Sequence, residues 1–207
     1  MVNKKENSNF NELYKDIDSI TKYLENKQDS LDKIMFLSRN IIRDSGHTIT
    51  MIHNNDINNA SILINKISKN IFKLRRFDDN FKYHTIQAFQ EYAEAYIFLN
   101  IKKTGKIPKM ENLKINEESY LLGLMDVVGE LKREIVGLLM KNKIADAKKL
   151  LKIMEAIYDS TRELKFAESV IAGFRKKQDV ARIQIESAAS QILFHGNNID
   201  VESLEEE

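Results

Sequence analysis

Two stretches of this chain carry carboxylates at spacings that could do chemistry. In residues 87–98, QAFQEYAEAYIF, Glu91 and Glu94 stand three residues apart, which on a helix sets them side by side on one face. Ile86, Phe89, Ala93, Tyr96 and Ile97 form the apolar stripe of that helix, and Gln87, Gln90, Glu91 and Glu94 lie away from it. Taken alone this is the pattern of a solvated polar face, with Phe98 on the same side as the one dissonant residue. Residues 119–140, SYLLGLMDVVGELKREIVGLLM, are less ordinary. Leu121, Leu124, Met125, Val128, Leu131, Ile135, Val136 and Leu139 fill a broad arc of the helical wheel, while Gly123, Asp126, Glu130, Arg133, Glu134 and Gly137 crowd a narrow one. A helix apolar around most of its circumference is largely buried, so its acidic stripe is expected to face a groove or cavity. Gly123, Gly129 and Gly137 each cost about 1 kcal/mol against Ala inside a helix, which points to close packing, with Gly123 and Gly137 leaving room beside the carboxylates. An ion pair from Asp126 or Glu130 to an arginine elsewhere is the structural alternative.

Together, Glu91, Glu94, Asp126 and Glu130 make two carboxylate pairs on helices adjacent in sequence, and antiparallel packing of those helices would let four like charges converge. Such a cluster has to take up protons or bind a cation. With no Cys in the chain and no His pair, an all-oxygen donor set suits Mg²⁺, with Mn²⁺ as a substitute, rather than Zn²⁺. Carboxylate-held Mg²⁺ most often serves phosphoryl chemistry.

The elements that position these groups read as helices throughout. The chain has 207 residues but only 7 Gly and 1 Pro, too few for the many turns of a β-rich fold. Apolar spacing predicts a first helix carrying Phe10, Leu13, Ile17, Ile20 and Leu24, and a second capped by Asp29-Ser30. A third is expected from about Asp56 to Leu74 and a fourth from about Asp79 to Lys103. Thr104–Asn116, with Gly105 and Pro108, reads as the one clear loop. Asn116 caps a fifth helix to about Lys141, a sixth spans Lys143–Tyr158 and a seventh Phe166–Phe194. The expectation is therefore an all-α protein, a seven-helix antiparallel bundle in one domain over 1–207, with 1–8 and 197–207 as frayed tails. A net charge of +1 means any nucleic-acid surface has to come from segregating 32 basic from 31 acidic side chains. No apolar leader and no stretch of membrane-spanning length is present, so a cytoplasmic location without membrane contact is the default expectation. His47, His53, His84 and His195 are too scattered to form a metal set, and none is assigned catalysis.

At the acidic residues the chain resembles the translin/Trax family, on the side of Trax, the catalytic partner of translin. The family's QEYxEA signature appears as Gln90-Glu91-Tyr92-Ala93-Glu94-Ala95 and its YLLGxxDxxGEL signature as Tyr120 through Leu131. An upstream block appears as Leu37-Ser38-Arg39-Asn40-Ile41, then Ser45, Thr48, Ile49 and His53, and a Tyr-Asp pair as Tyr158-Asp159. The match runs from the second expected helix into the sixth, and the seventh, with Phe174-Arg175-Lys176-Lys177, fits more loosely. The resemblance implies a seven-helix translin fold and an octameric closed shell that binds single-stranded nucleic acid inside, RNA foremost and single-stranded DNA besides. For Trax-type subunits it also implies Mg²⁺-dependent endonucleolytic cleavage of RNA, with the catalytic and metal-holding acids on Glu91, Glu94, Asp126 and Glu130. The short Thr104–Asn116 loop and the lack of an N-terminal extension resemble the compact prokaryotic branch, for which a homo-oligomer is the simpler assembly. Candidate RNA contacts are Arg39, Arg43, Arg133, Arg175, Lys176 and Lys177, with Arg75, Arg76 and Arg182 behind them; most lysines and arginines on helices are solubilising instead. Tyr92 reads as core rather than a base-stacking platform. Two rivals remain at this point: a non-catalytic binder of single-stranded nucleic acid, and a structural helical oligomer.

Overall fold

The computed structural model describes residues 3–205, with side-chain surroundings for all of these except 3–9, 78–80 and 197–205. Among the described residues six α-helices and two short 3-10 turns account for the regular structure: α1 (Asn3–His53), α2 (Ile57–Leu74), α3 (Asp78–Thr104), α4 (Glu117–Leu139), α5 (Ile144–Thr161) and α6 (Phe174–Glu205). The all-α expectation holds. The count falls by one because the first two expected helices are a single helix of 51 residues. Asp29-Ser30 does not cap a new helix. The Ser30 hydroxyl donates to the Asn26 carbonyl inside the continuing ladder, at 2.9 Å, and Gln28 reaches Asp32 one turn on. Helix assignment reaches Asn3 and Glu205, into both stretches expected as tails, while residues 1–2 and 206–207 lie outside the described part.

Other boundaries follow local chemistry. The Asp56 carboxylate caps α2 by accepting from the Asn59 amide, and the Asn116 side chain caps α4 by accepting from that of Ser119 at 2.8 Å. The last helix starts eight residues later than the expected Phe166. Gly173 takes a left-handed φ of 75°, which a right-handed helix cannot run through, and its amide donates to Glu168.

Paired side chains reveal the direction of each helix. Ser68–Tyr92 and Ser61–Lys103 match descending with ascending numbers, so α2 and α3 are antiparallel. Between α3 and α4 the numbers rise together: Lys82 meets Glu118, the Ser119 hydroxyl donates to the Ile86 carbonyl, Gln90 meets Asp126 and Lys102 meets Glu134. These two helices are therefore parallel, and the chain between them must return along their length. From residue 104 back to the level of residue 82 is about 33 Å of helix, and the twelve intervening residues can span about 40 Å. Residues 105–116 are a crossover strap, touching α4 where the Tyr120 hydroxyl donates to the Pro108 carbonyl. The core runs through all six helices, with Phe89, Tyr92, Phe98, Ile41, Ile67, Val128 and Leu131 buried among α1–α4 and Met154, Ile157, Phe174 and Ala181 buried where α5 and α6 pack on α4. Tyr92 is a core residue, as expected, with its hydroxyl 2.9 Å from that of Ser68.

Candidate active site

Gly123 places the site. A Cβ added there would meet Ala93 Cβ at 2.6 Å, the Gln90 carbonyl oxygen at 2.7 Å and the Glu94 amide nitrogen at 3.0 Å. The backbone of α3 thus occupies the space a side chain would take, and α4 presses against the turn that carries Glu91 and Glu94. Gly123 leaves no room for a ligand beside the carboxylates, contrary to the expectation from sequence; it lets two helices touch. Gly129 has the Gln184 side chain of α6 at 3.3 Å, whereas nothing lies within 4 Å of a Cβ at Gly137.

The close contact brings Asp126 of α4 into the field of Glu91 and Glu94. Burial raises the Glu94 carboxyl most, with Asp126, Glu91 and Glu130 adding to it in that order, and its pKa is pushed up to about 9. Glu91 is raised too, first by burial and then by Asp126. All four sequence-selected acids therefore belong to one electrostatic cluster, reached through parallel rather than antiparallel packing. Asp126 is held from two sides: the Gln90 amide donates to one oxygen at 2.7 Å and the Lys177 ammonium of α6 pairs with the other. Glu130 turns toward His53, whose Nε2 is 2.5 Å from its carboxylate. The second nitrogen of His53 is 3.3 Å from Glu134, which Lys102 also pairs with at 2.5 Å, and the Phe98 ring lies 5.0 Å from the imidazole. Hydrogen bonds donated to Glu130 and then to Glu134 raise the His53 pKa above its usual value against burial. Burial alone would raise Glu134, but the His53 and Lys102 bonds outweigh it and hold its pKa low.

Among the described residues no three His, Asp or Glu side chains close around one point as a finished cation cage. Asp126 and Glu130 are instead engaged with protein partners.

The expected basic contacts divide. Lys177 is a partner of the carboxylates rather than a free cation, and its charge also opposes the rise at Glu91 and Glu94. Lys176 lines a cavity of about 360 Å³ beside Asp126, and Arg133 stands 4.0 Å from Glu130. Arg175 lines a second cavity, of about 320 Å³, with Tyr158, Arg162, Lys165 and Phe166. Arg43 is tied to buried Asp44 at 3.0 Å, and Arg39 is exposed on α1. No contact among the described residues joins these two to the acidic cluster. His53 escaped the sequence reading because its partners are 77 and 81 residues away; its place at the end of an upstream block was the only signal.

In the cation-free protein Glu94 keeps its proton to about pH 9, while in the unfolded chain it ionises near the ordinary glutamate value of 4.5. Between those values the folded state holds a proton the unfolded state lacks, so stability falls as pH rises across that window. The raised pKa of His53 contributes stability that is full below its unfolded value and lost as pH rises through the folded one, in the same direction. Thermal unfolding in EDTA from pH 5 to 9 should show a falling melting temperature, and Glu94→Gln should flatten the fall without abolishing it. An unchanged slope in that variant would place Glu94 in an environment unlike this one.

A parallel pair of buried helices with a carboxylate cluster across their contact defines an all-α protein with an acidic site. Comparison with known proteins adds its lineage. The Translin family model matches residues 11–188. An uncharacterized protein of Methanocaldococcus jannaschii is 32% identical over 188 residues, covering 89% of this chain and 84% of the relative. The translin-associated protein X homolog of Schizosaccharomyces pombe is 26% identical over 172 residues, 74% of each chain. Among solved structures, AfC3PO in complex with duplex RNA superposes with a TM-score of 0.83 at 26% identity, covering 88% of this chain and 97% of that one. The chain belongs to the translin family.

Proposed function

We propose that this protein is a Mg²⁺-dependent endoribonuclease that cleaves single-stranded RNA inside a homo-oligomeric shell. The observation that carries the reading is the cluster of Glu91, Glu94, Asp126 and Glu130, with Glu94 driven to a pKa of about 9 by burial and its neighbours' charge. Carboxylates assembled at that cost to their ionisation fit a divalent cation, since the donor set is all oxygen and a bound cation would lower the energy of every ionised member. Glu91, Glu94 and Asp126 would hold the ion. Bound there, Mg²⁺ supplies Lewis acidity toward a phosphoryl oxygen and a water of lowered pKa. Glu130, held by His53, supports the others as a fixed neighbouring charge.

RNA as the ligand is supported by the relatives, one of which is a Trax homolog and another a C3PO whose complex holds duplex RNA. A protein of this fold thus accepts duplex RNA, and preference for a single strand is tested by comparing cleavage of single-stranded and duplex RNA. Single-stranded DNA has the same phosphates and is a weaker second ligand. The test is labelled single-stranded RNA incubated with pure protein in Mg²⁺ or in EDTA; cleavage in EDTA, or none in Mg²⁺, refutes the assignment.

The rival reading, a non-catalytic RNA binder, is favoured by one observation: Asp126 and Glu130 already have protein partners. Cleavage by the parent protein separates the two.

Assembly rests on α1. Phe10, Leu13, Ile17, Ile20 and Leu24 repeat along its first half, and each is more than half exposed in the single chain. An apolar seam of this length calls for a partner helix, and a second copy is the simplest partner for a shell. Light scattering at micromolar concentration should give a mass far above the dimer, with eight copies as the expected number; a monomer would remove the enclosed-shell account. No described helix is long and apolar enough to cross a membrane, and a cytoplasmic site of action completes the proposal.

A further inference from the structure

The cavity of about 360 Å³ between α4 and the start of α6 has a mixed lining, with Gln184 among its polar residues. Met125, Gly129 and Val180 give it an apolar surface, and Lys176 and Lys177 bring two ammonium groups. It shares Asp126 with the carboxylate cluster. Apolar surface beside two cations, next to a group that would hold a metal, is the chemistry of a nucleotide, with base and sugar for the apolar residues and phosphate for the cations.

Lys177 stands at the joint between cavity and cluster. It is the cation nearest Asp126, and its charge reaches Glu91 and Glu94 as well. A divalent ion that takes Asp126 as a ligand competes with this ammonium for the same oxygen. The displaced ammonium stays tethered to α6 and keeps the cavity within reach of its four-carbon stem.

We propose that this cavity seats the nucleotide beside the scissile phosphate, and that Lys177 passes from Asp126 to that nucleotide's phosphate when a divalent cation takes the carboxylates. The inference rests on the metal-nuclease reading above. It makes Lys177 a stand-in cation for the metal-free site and a phosphate ligand in the loaded one. Metal and RNA then bind with positive coupling, and coupling of this kind is reciprocal.

The test uses the full-length protein with three variants. Mn²⁺ binding without RNA is followed by electron paramagnetic resonance, and binding of a labelled single-stranded RNA by anisotropy, in EDTA and in Ca²⁺. Lys177→Met should bind Mn²⁺ roughly tenfold tighter, because Asp126 has lost its competing cation. Its RNA affinity in EDTA should stay within about twofold of the parent, since there the lysine is occupied with Asp126. Ca²⁺ should tighten RNA binding by the parent roughly tenfold, and by Lys177→Met much less, with Lys177→Arg restoring most of the coupling. Val180→Trp, which fills the cavity, should weaken RNA binding and leave Mn²⁺ binding as in the parent. Parental Mn²⁺ affinity or undiminished coupling in Lys177→Met would make Lys177 a structural partner only, and parental RNA binding in Val180→Trp would remove the subsite. A parent protein that cleaves RNA while these variants fail overturns this inference alone. A parent that neither binds Mn²⁺ nor cleaves overturns the nuclease reading with it.

Discussion

Changing Glu91 or Glu94 to Gln, or Asp126 to Asn, is expected to lower Mg²⁺-dependent RNA cleavage by about a thousandfold or more while RNA binding persists. Each change keeps the shape and hydrogen-bonding reach of the side chain and removes one hard anionic donor. Gln90 can still donate to the oxygen of an Asn at 126, so the α3–α4 contact survives. In EDTA, binding should hold in Glu94→Gln, whose parent carboxyl already carries its proton at neutral pH, and hold or tighten in the other two, where an anion leaves a surface that receives phosphates. Folding should hold as well. At Glu94 the variant removes a carboxyl that burial and three neighbouring carboxylates already disfavour as an anion, so the cation-free protein gains stability at neutral pH and above. Single-turnover cleavage, RNA affinity and melting temperature, measured on the same preparations, read all three effects. Parental cleavage in the three variants would sink the assignment of the site. Loss of binding and folding together with cleavage would mark these acids as structural ion-pair partners. Glu130→Gln is the milder change, because what it disturbs first is the His53 contact.

The acids themselves were legible, since a helix apolar around most of its wheel leaves few places for Asp126 and Glu130 to point. The cap at Asn116 was legible too, because capping is decided within four residues, and the start of α2 near Asp56 was legible from its apolar spacing. What escaped is what periodicity does not carry. A seam continuing through Asp29-Ser30 looks the same whether the helix breaks or runs on, and the unbroken helix from Asn3 to His53, with Ser30 bonded back to Asn26, distinguishes the cases. Nothing in the pattern of α3 and α4 tells parallel from antiparallel packing; that is set by whether residues 105–116 turn back sharply or run the length of the bundle. Lys177 looked like any other lysine of a basic run, and its role follows from α6 lying against α4 at Asp126.

Gly123→Ala should be the most damaging single-methyl change in the site, and Gly137→Ala on the same helix should be its opposite. On propensity alone each replacement stabilises a helix by about 1 kcal/mol. At Gly137 nothing lies within 4 Å of the new Cβ, so that gain should appear as a higher melting temperature with cleavage unchanged. At Gly123 the new methyl meets Ala93 Cβ at 2.6 Å and the Gln90 carbonyl oxygen at 2.7 Å. Neither is the end of a flexible side chain, so relief has to come from moving one helix off the other. Overpacking of this kind costs about 1–3 kcal/mol and outweighs the propensity gain. The displacement also carries Glu91 and Glu94 away from Asp126, and a shift of about 1 Å at a catalytic constellation can cost on the order of a hundredfold in rate. The expected result is a lower melting temperature, weaker Mn²⁺ binding and cleavage down by about a hundredfold even at temperatures where the variant is folded. A Gly123→Ala protein that melts higher than the parent and cleaves like it would show that α3 and α4 do not meet at this residue, and the carboxylate cluster would lose the contact that assembles it.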